Sequence, residues 1–184
     1  INLLMNNIHR NAKIGRNVQV GPFTTIEEDV VIGDGCRIGA NASILNGTRM
    51  GSNCNIFPGA VVGASPQDLK FEGESSTLEI GNNVTIREYC TINRGTKASF
   101  KTDIGDHCLL MAYVHVAHDC IVGPHSILAN NVNLAGHIHV GHHVVIGGLV
   151  AVHQFVKIGD HVMVGGGSLV RKDIPPFVKA AREP

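Results

Sequence analysis

The sequence predicts an all-β protein whose chain winds into a parallel β-helix, a stack of short coils around a narrow core. A large aliphatic residue recurs at every sixth position from Ile8 to Val170, with three exceptions. Small or β-branched residues form a second column, four positions after the first. The chain has 22 glycines, only 4% aromatic residues and no tryptophan. This composition suits a core too narrow for large rings.

The six-residue period is too short for a helical repeat and fits one short strand followed by a turn. Alternation along each strand places both columns inward, and stacked units bury a continuous core. We expect one such domain over residues 8–174. A leader over residues 1–7 is expected before it, and a separate C-terminal region is expected to start within 175–184.

The period fails at residues 64–79 and again at 97–102. Insertions in a solenoid map to loops on its outer face, which is often the binding face. The sequence therefore predicts two external loops. The first carries Gln67, Asp68 and Lys70, and is either a solvated polar segment or a flap that holds a polar substrate.

Composition excludes several classes of function. The formal net charge is zero, which argues against a nucleic-acid partner. No apolar run is long enough for a transmembrane segment, and no signal peptide is visible. All five cysteines fall in the small inward column, where reduced thiols fit a cytoplasmic protein. The spacing of Cys36, Cys54, Cys90 and Cys108 by multiples of 18 predicts that they share one side of the stack.

None of the eleven histidines occupies an inward column, and ten lie in the second half of the chain. His118 and His137 are about one coil apart, so we expect neighbouring side chains in a histidine-lined surface strip. Such a strip is either solvated, a zinc site or a source of a general base. The ligand spacing of the zinc-dependent γ-class carbonic anhydrases is not evident, and we expect no metal ligands.

Six segments, in order, resemble the UDP-N-acetylglucosamine acyltransferase family of lipid A biosynthesis: SPQDLKFEGE, INRGT, VAHDCIVG, ILANNVNLAGH, AVHQF and MVGGGS. The resemblance implies a left-handed parallel β-helix with three hexads per turn, and therefore about nine to ten coils, assembled as a homotrimer. It implies transfer of a hydroxyacyl chain from acyl carrier protein to the 3-hydroxyl of UDP-N-acetylglucosamine, without a cofactor, in the cytoplasm of a Gram-negative type bacterium. We expect the family's C-terminal helical domain to be absent from this chain, with residues 175–184 as the start of a truncated C-terminal region.

The resemblance also implies roles for individual residues. His118 would be the general base, Gly136 the backbone oxyanion donor and Asp119 a support for the histidine. Adjacent side chains on a strand point to opposite faces, so we expect no direct contact between His118 and Asp119. The remaining implied positions are contacts to the sugar and its surroundings from Asp68, Lys70, His115 and His137, with Gln67 in the same loop, the nucleotide end at His153 and Gln154, and the limit on acyl-chain length at Gly166.

Two other functions remain open at this point. A hexapeptide-repeat acetyltransferase that uses coenzyme A would share the fold, and so would a non-catalytic β-helix subunit of a larger assembly. The choice of acyl donor separates the acetyltransferase from an acyl-carrier-protein-dependent enzyme. In a non-catalytic subunit, replacing His118 by alanine would change binding or assembly and not a reaction rate.

Overall fold

The computed structural model describes residues 5–181, which form a stack of short parallel strands. In chain order the strands are β1 (Asn7–Ile8), β2 (Lys13–Ile14), β3 (Gln19–Val20), β4 (Thr25–Ile26), β5 (Val31–Ile32), β6 (Arg37–Ile38), β7 (Ser43–Ile44), β8 (Thr48–Met50), β9 (Asn55–Ile56), β10 (Val61–Ala64), β11 (Thr77–Ile80), β12 (Thr85–Ile86), β13 (Thr91–Asn93), β14 (Lys101–Ile104), β15 (Leu109–Leu110), β16 (His115–Val116), β17 (Ile121–Val122), β18 (Ile127–Leu128), β19 (Asn133–Leu134), β20 (His139–Val140), β21 (Val145–Ile146), β22 (Ala151–Val152), β23 (Lys157–Ile158), β24 (Met163–Val164), β25 (Leu169–Val170) and β26 (Lys179–Ala180).

The strands form three sheets, because each strand pairs in parallel with the strand three places later, until β26 takes the place beside β24. The first sheet runs from β1 to β25 through every third strand and has nine strands. The second runs from β2 to β23 and has eight, and the third runs from β3 to β26 and has nine. This is a left-handed parallel β-helix of about nine coils. The predicted fold class and coil number are confirmed.

Both inward columns lie in the core. Residues of the aliphatic column such as Ile44, Val62 and Leu128 are fully buried, and the small column contributes residues such as Cys90 and Val132. Each buried Leu or Ile side chain contributes about 1.5–3 kcal/mol relative to an exposed one. The N-terminal coils are less covered, since their aliphatic residues are only partly buried. The stack is therefore best packed in its middle.

Two-residue turns join the sheets at three corners. The first corner joins the first sheet to the second, the second corner joins the second to the third, and the third corner returns to the first. The second residue of a turn repeatedly has φ near +60°, as at Asn53, Asp119 and His143. Side chains other than Gly and Asn rarely adopt this region. The backbone at the corners is therefore not extended, and the side chains there do not alternate in direction as they do along a strand.

Both external loops lie at the first corner, over residues 65–76 and 94–100. They differ from the predicted ranges because the flanking residues join the sheet: Thr77 pairs with Lys101, and Ile80 with Ile104. Met50 pairs with Ile80, thirty residues on, whereas ordinary coils pair residues eighteen apart. The first loop thus adds twelve residues to its coil. The pairing of Ile80 with Ile104 shows that the second adds six.

These insertions overturn the prediction that four cysteines share one side of the stack. Cys36, Cys54 and Cys108 directly precede strands of the third sheet. Cys90 precedes β13, which belongs to the first sheet. The prediction assumed an unbroken period of 18, but the first loop shifts the phase before Cys90 and the second restores it before Cys108. All five cysteines are buried and free, as expected.

Strand pairing extends past the expected domain limits at both ends. β1 begins at Asn7, within the expected leader, and β26 pairs with β24 through Lys179 and Met163. Residues 175–180 therefore continue the stack. Residues 1–4 of the leader and 182–184 of the C-terminal region lie outside the described residues. Along the described chain, no helix has the length and hydropathy that a membrane span needs.

Candidate functional site

The first corner collects most of the residues that the sequence singled out. Successive coils place there the loop with Asp68, the loop over 94–100, the His118–Asp119 turn, the Gly136–His137 turn, and Gln154. Gln67 and Lys70 lie in the first loop, and His153 directly precedes Gln154. His115 lies on the first sheet, whereas Gly166 lies at the third corner, across that sheet.

His118 and Asp119 are in direct contact, contrary to the expectation from strand alternation. The Nδ1 atom of His118 lies 2.7 Å from Oδ2 of Asp119. The expectation was wrong because the pair forms the corner turn, where Asp119 has φ of 59°. Alternation holds only within a strand. At the corner both side chains turn toward the same place.

The Asp119 carboxylate is buried and fully hydrogen-bonded. Its side chain is 1% exposed. Thr96 donates from its hydroxyl to Oδ2 at 2.7 Å and from its backbone N–H to Oδ1 at 3.0 Å. Ser99 donates to Oδ1 from its hydroxyl and its backbone. Burial by itself would raise the pKa of Asp119, but the donors from Ser99, Thr96 and His118 lower it to about 2. The carboxylate is therefore ionised at neutral pH.

The imidazole of His118 packs against the next turn. Its ring centroid lies 5.0 Å from that of His137 in an edge-on arrangement, and His137 stacks on Phe155 at 4.6 Å. A Cβ atom on Gly136 would lie 2.6 Å from Cε1 of His118, closer than real Cβ atoms come. Only glycine at this position leaves room for the ring. Gly136 N–H donates no hydrogen bond within residues 5–181 and is available to a ligand.

His115 is placed beside the corner on the first sheet. Its Nδ1 lies 2.8 Å from the hydroxyl oxygen of Thr91, one coil away. Burial lowers the pKa of His115, and the nearby His118 acts in the same direction. The ring is thus neutral at physiological pH, and one of its nitrogens is hydrogen-bonded to the Thr91 hydroxyl.

The first loop packs on the second. Lys97 N–H donates to the Glu74 carboxylate at 2.8 Å, and the Arg94 guanidinium lies 5.4 Å above the Phe71 ring centre. Asp68 accepts the Lys70 N–H at 3.0 Å, and this bond shapes the tip of the loop. No hydrogen bond or ion pair within residues 5–181 joins Gln67, Asp68 or Lys70 to His118. These side chains share its corner but stand apart.

The far ends of the candidate site are open. His153 is exposed, with Nδ1 3.2 Å from the Gln154 carbonyl oxygen. At the third corner, Gly166 stacks on Gly148, and a Cβ atom there would meet the Gly148 carbonyl oxygen at 3.2 Å. These two stacked positions carry no side chains at the edge of the first sheet.

Comparison with known proteins gives two kinds of match. Residues 11–46, 29–64 and 101–136 match the family model described as bacterial transferase hexapeptide (six repeats). The fold superimposes on LpxA of Acinetobacter baumannii with a TM-score of 0.95 and 48% identity, over 98% of this chain and 70% of that one. The UDP-N-acetylglucosamine acyltransferase of Bacteroides fragilis superimposes with a TM-score of 0.95 and 51% identity, over 98% and 71%. The chain belongs to the UDP-N-acetylglucosamine acyltransferase family.

Curated members of the UDP-N-acetylglucosamine acyltransferase family match over shorter stretches. An acyl-[acyl-carrier-protein]--UDP-N-acetylglucosamine O-acyltransferase of Bartonella henselae is 46% identical over 114 residues, 61% of this chain and 42% of that protein. The protein of the same name from Sulfurihydrogenibium is 55% identical over 116 residues, again 61% and 42%. The chain thus matches about two fifths of the length of these relatives.

Three residues that position Asp119 in this family member were not predicted from the sequence. Thr96 and Ser99 hold the Asp119 carboxylate, and Thr102 accepts the Asp119 N–H at 2.9 Å. Thr96 belongs to the INRGT segment, which was the available signal. The broken period at 97–102 concealed that this loop stacks directly on the His118 turn.

The first corner of this family member offers a metal ion few ligand atoms that are not already hydrogen-bonded. His118, Asp119 and His137 each place one ligand atom within 4.8 Å of the others. However, both carboxylate oxygens of Asp119 already accept hydrogen bonds from the protein, and one of those bonds comes from His118. The arrangement suits an oriented imidazole better than a coordination shell.

Proposed function

We propose that this chain is the β-helical part of an acyltransferase that moves a hydroxyacyl chain from acyl carrier protein to the 3-hydroxyl of UDP-N-acetylglucosamine, the first step of lipid A biosynthesis. The names of the curated relatives support these substrates. The observation that carries the proposal is the His118–Asp119 pair, whose imidazole is oriented by a buried carboxylate beside Gly136.

In the proposed mechanism, His118 Nδ1–H donates to Asp119, which leaves the lone pair on Nε2 as the base. Nε2 takes the proton of the sugar 3-hydroxyl while the oxygen attacks the thioester carbonyl. The C–S bond then breaks, and the departing thiolate takes the proton from His118. Asp119 stays ionised and stabilises the imidazolium, as a triad carboxylate does. Neither a covalent enzyme intermediate nor a cofactor is needed.

Gly136 would stabilise the tetrahedral intermediate. Its N–H has no acceptor within the described residues, and its missing side chain lets the His118 ring lie against it. A preorganised backbone donor aimed at a developing oxyanion contributes roughly 3 kcal/mol in acyl-transfer enzymes. The general base and the oxyanion donor would thus come from turns of adjacent coils.

The other site residues would bind the remaining parts of the substrates along the stack. We assign the sugar and its surroundings to Asp68, Lys70, His115 and His137, with Gln67 in the same loop, and the nucleotide end to His153 and Gln154. Gly166 would limit the acyl chain. Between His118 and Gly166 the chain completes between two and three coils, a rise of roughly 13 Å at the usual strand spacing. An acyl chain would cross the first sheet to reach the third corner.

Three further parts of the proposal concern the assembly, the donor and the compartment. We propose a homotrimer in which the wall of a second subunit closes the exposed site, acyl carrier protein as the docking partner, and the cytoplasm of a Gram-negative type bacterium as the location. The buried free thiols support a reducing compartment. Light scattering of the purified chain tests the trimer directly, and a monomer at micromolar concentration would contradict it.

The experiment that tests the reaction is an acyl-transfer assay with UDP-N-acetylglucosamine and a panel of hydroxyacyl carrier proteins of different chain length. We expect turnover that depends on chain length and falls about 10²-fold or more in His118→Ala, the usual scale for a general base. His107→Asn at the second corner is the matched control and should keep the full rate. Turnover with acetyl-coenzyme A alone would overturn the proposed donor, and a His118→Ala variant of normal rate would overturn the base.

A further inference from the structure

The second corner carries a column of histidines that the proposed function does not use. The column consists of His107, His125, His143 and His161, capped by Phe177. Successive rings stack with centroids 4.7–5.1 Å apart. One surface strip was expected from the sequence, but the structure places these rings on a different corner from His118 and His137. The column therefore needs an explanation of its own.

His142, which precedes the column residue His143, is held by a carboxylate. Its Nε2 lies 3.1 Å from Oδ2 of Asp160, and its backbone N–H donates to Oδ1 of the same group at 2.9 Å. Nε2 therefore carries a proton and donates it in a hydrogen bond to the Asp160 carboxylate. The other ring nitrogen, Nδ1, then carries a free lone pair in the neutral ring.

That lone pair faces two more imidazoles. Nδ1 of His142 lies 3.0 Å from Nδ1 of His143. The His161 ring lies edge-on to His142 at 4.9 Å and stacks on His143 at 5.0 Å. One ligand atom from each of the three rings lies within 4.8 Å of the others. Three imidazoles from two neighbouring coils thus form one cluster of possible ligand atoms.

We propose that His142, His143 and His161 bind a divalent transition-metal ion of the zinc, nickel or copper class, with Asp160 orienting His142. Imidazole nitrogen is a preferred ligand of these ions. A carboxylate that accepts the other N–H of a ligating histidine is the usual support for such a site. Zinc holds nitrogens at about 2.0–2.1 Å in a tetrahedron, which puts them about 3.4 Å apart. The pair at 3.0 Å is near this spacing, and the third ring, His161, is exposed to solvent.

Asparagine already occupies the position of the column residues in other turns of the second corner. These residues are Asn17, Asn53 and Asn83 in the N-terminal half, with φ of 57°, 58° and 56°. His143 and His161 have φ of 55° and 54°. Replacing either by asparagine therefore removes a ligand and keeps a residue that suits the turn. His107→Asn makes the same change outside the cluster and serves as the matched control.

Calorimetric titration of the tag-free chain with Zn²⁺ and with Ni²⁺ tests the proposal. We expect one equivalent to bind, with at least tenfold weaker binding in His143→Asn and in His161→Asn, since loss of a supporting residue alone costs about 10–100-fold. His107→Asn and His118→Ala should bind as the unaltered chain does. Zn²⁺ should also raise the unfolding temperature of the unaltered chain and not that of His143→Asn.

Three results would overturn the proposal. The first is the absence of saturable binding. The second is equal affinity in the unaltered chain and both cluster variants. The third is binding that is lost only in His118→Ala, which would assign the ion to the first corner instead. Because the readouts are binding and unfolding, they do not depend on acyl transfer.

Discussion

Asp119 keeps its negative charge far below neutral pH because Thr96, Ser99 and His118 all donate to it. Its pKa is about 2 in the folded chain, against an ordinary value of 3.8. The carboxylate therefore adds stability that is fully present above about pH 4 and is lost as the pH falls toward 2. We expect a contribution of about 2 kcal/mol. Urea unfolding at pH 5 and at pH 2.5 measures it, and Asp119→Asn should show a flatter dependence on pH.

Gly136 controls the position of the His118 ring. A methyl group there would lie 2.6 Å from Cε1 of His118, so Gly136→Ala should displace the imidazole. A misplacement of about 1 Å can cost 10²-fold in rate. We expect kcat to fall 10- to 10²-fold with the circular dichroism spectrum unchanged. An unaltered kcat in the folded variant would show that the His118 ring can accommodate the added methyl group without a loss of activity.

For individual residues, the sequence predicted which side chains lie near one another better than it predicted their contacts. Resemblance pointed to His118, Asp119 and Gly136, and the structure brings them together. The direct His118–Asp119 contact was not predicted, because strand alternation was applied to a turn residue with positive φ. Side-chain direction at a corner depends on backbone geometry that the six-residue period does not report.

Among the elements, the loop over 94–100 links the first loop to the Asp119 carboxylate. It donates to Asp119 through Thr96 and Ser99, and it binds the first loop through the Lys97 N–H. Its role is therefore to hold Asp119 in place. Its true limits were hidden because Lys101 and Thr102 pair with β11 as strand residues.

The loop can be tested with neighbouring substitutions. Thr96→Val keeps the shape of the side chain but removes the hydroxyl donor to Oδ2 of Asp119. We expect a higher pKa for Asp119, a several-fold lower kcat and an acidic limb of the kcat/KM profile that moves to higher pH. Lys97→Ala loses only an exposed ion pair to Glu72 of 3.6 Å, which contributes little. Equal profiles for the two variants would contradict this role.

For the molecule as a whole, stability is a sum over coils and their contacts with neighbours. Leu128 is fully buried near the middle of the second half, whereas Ile8 is only partly buried at the N-terminal end. Leu128→Ala should lower the free energy of unfolding by about 2–5 kcal/mol, and Ile8→Ala by clearly less. Urea unfolding compares the two. Hydrogen exchange should show amides of β1–β3 opening first, and faster exchange at β18 would contradict this order.

The six-residue period predicted short stacked strands around a continuous core, since buried columns are set by alternation alone. Three units per coil, and with them the three sheets and the coil number, were implied by the resemblance. It could not predict the phase across an insertion, and Cys90 was therefore placed on the wrong side of the stack. The handedness came from resemblance, because the period is the same for either hand.

The two external loops lengthen their coils by twelve and by six residues, both whole numbers of the six-residue unit. The chain consequently re-enters the stack on the sheet that it would have reached without them. Length at the first corner is thus independent of the strand register of the three sheets. A first loop of another length in the same unit could be exchanged there, and the sheets would keep their pairing.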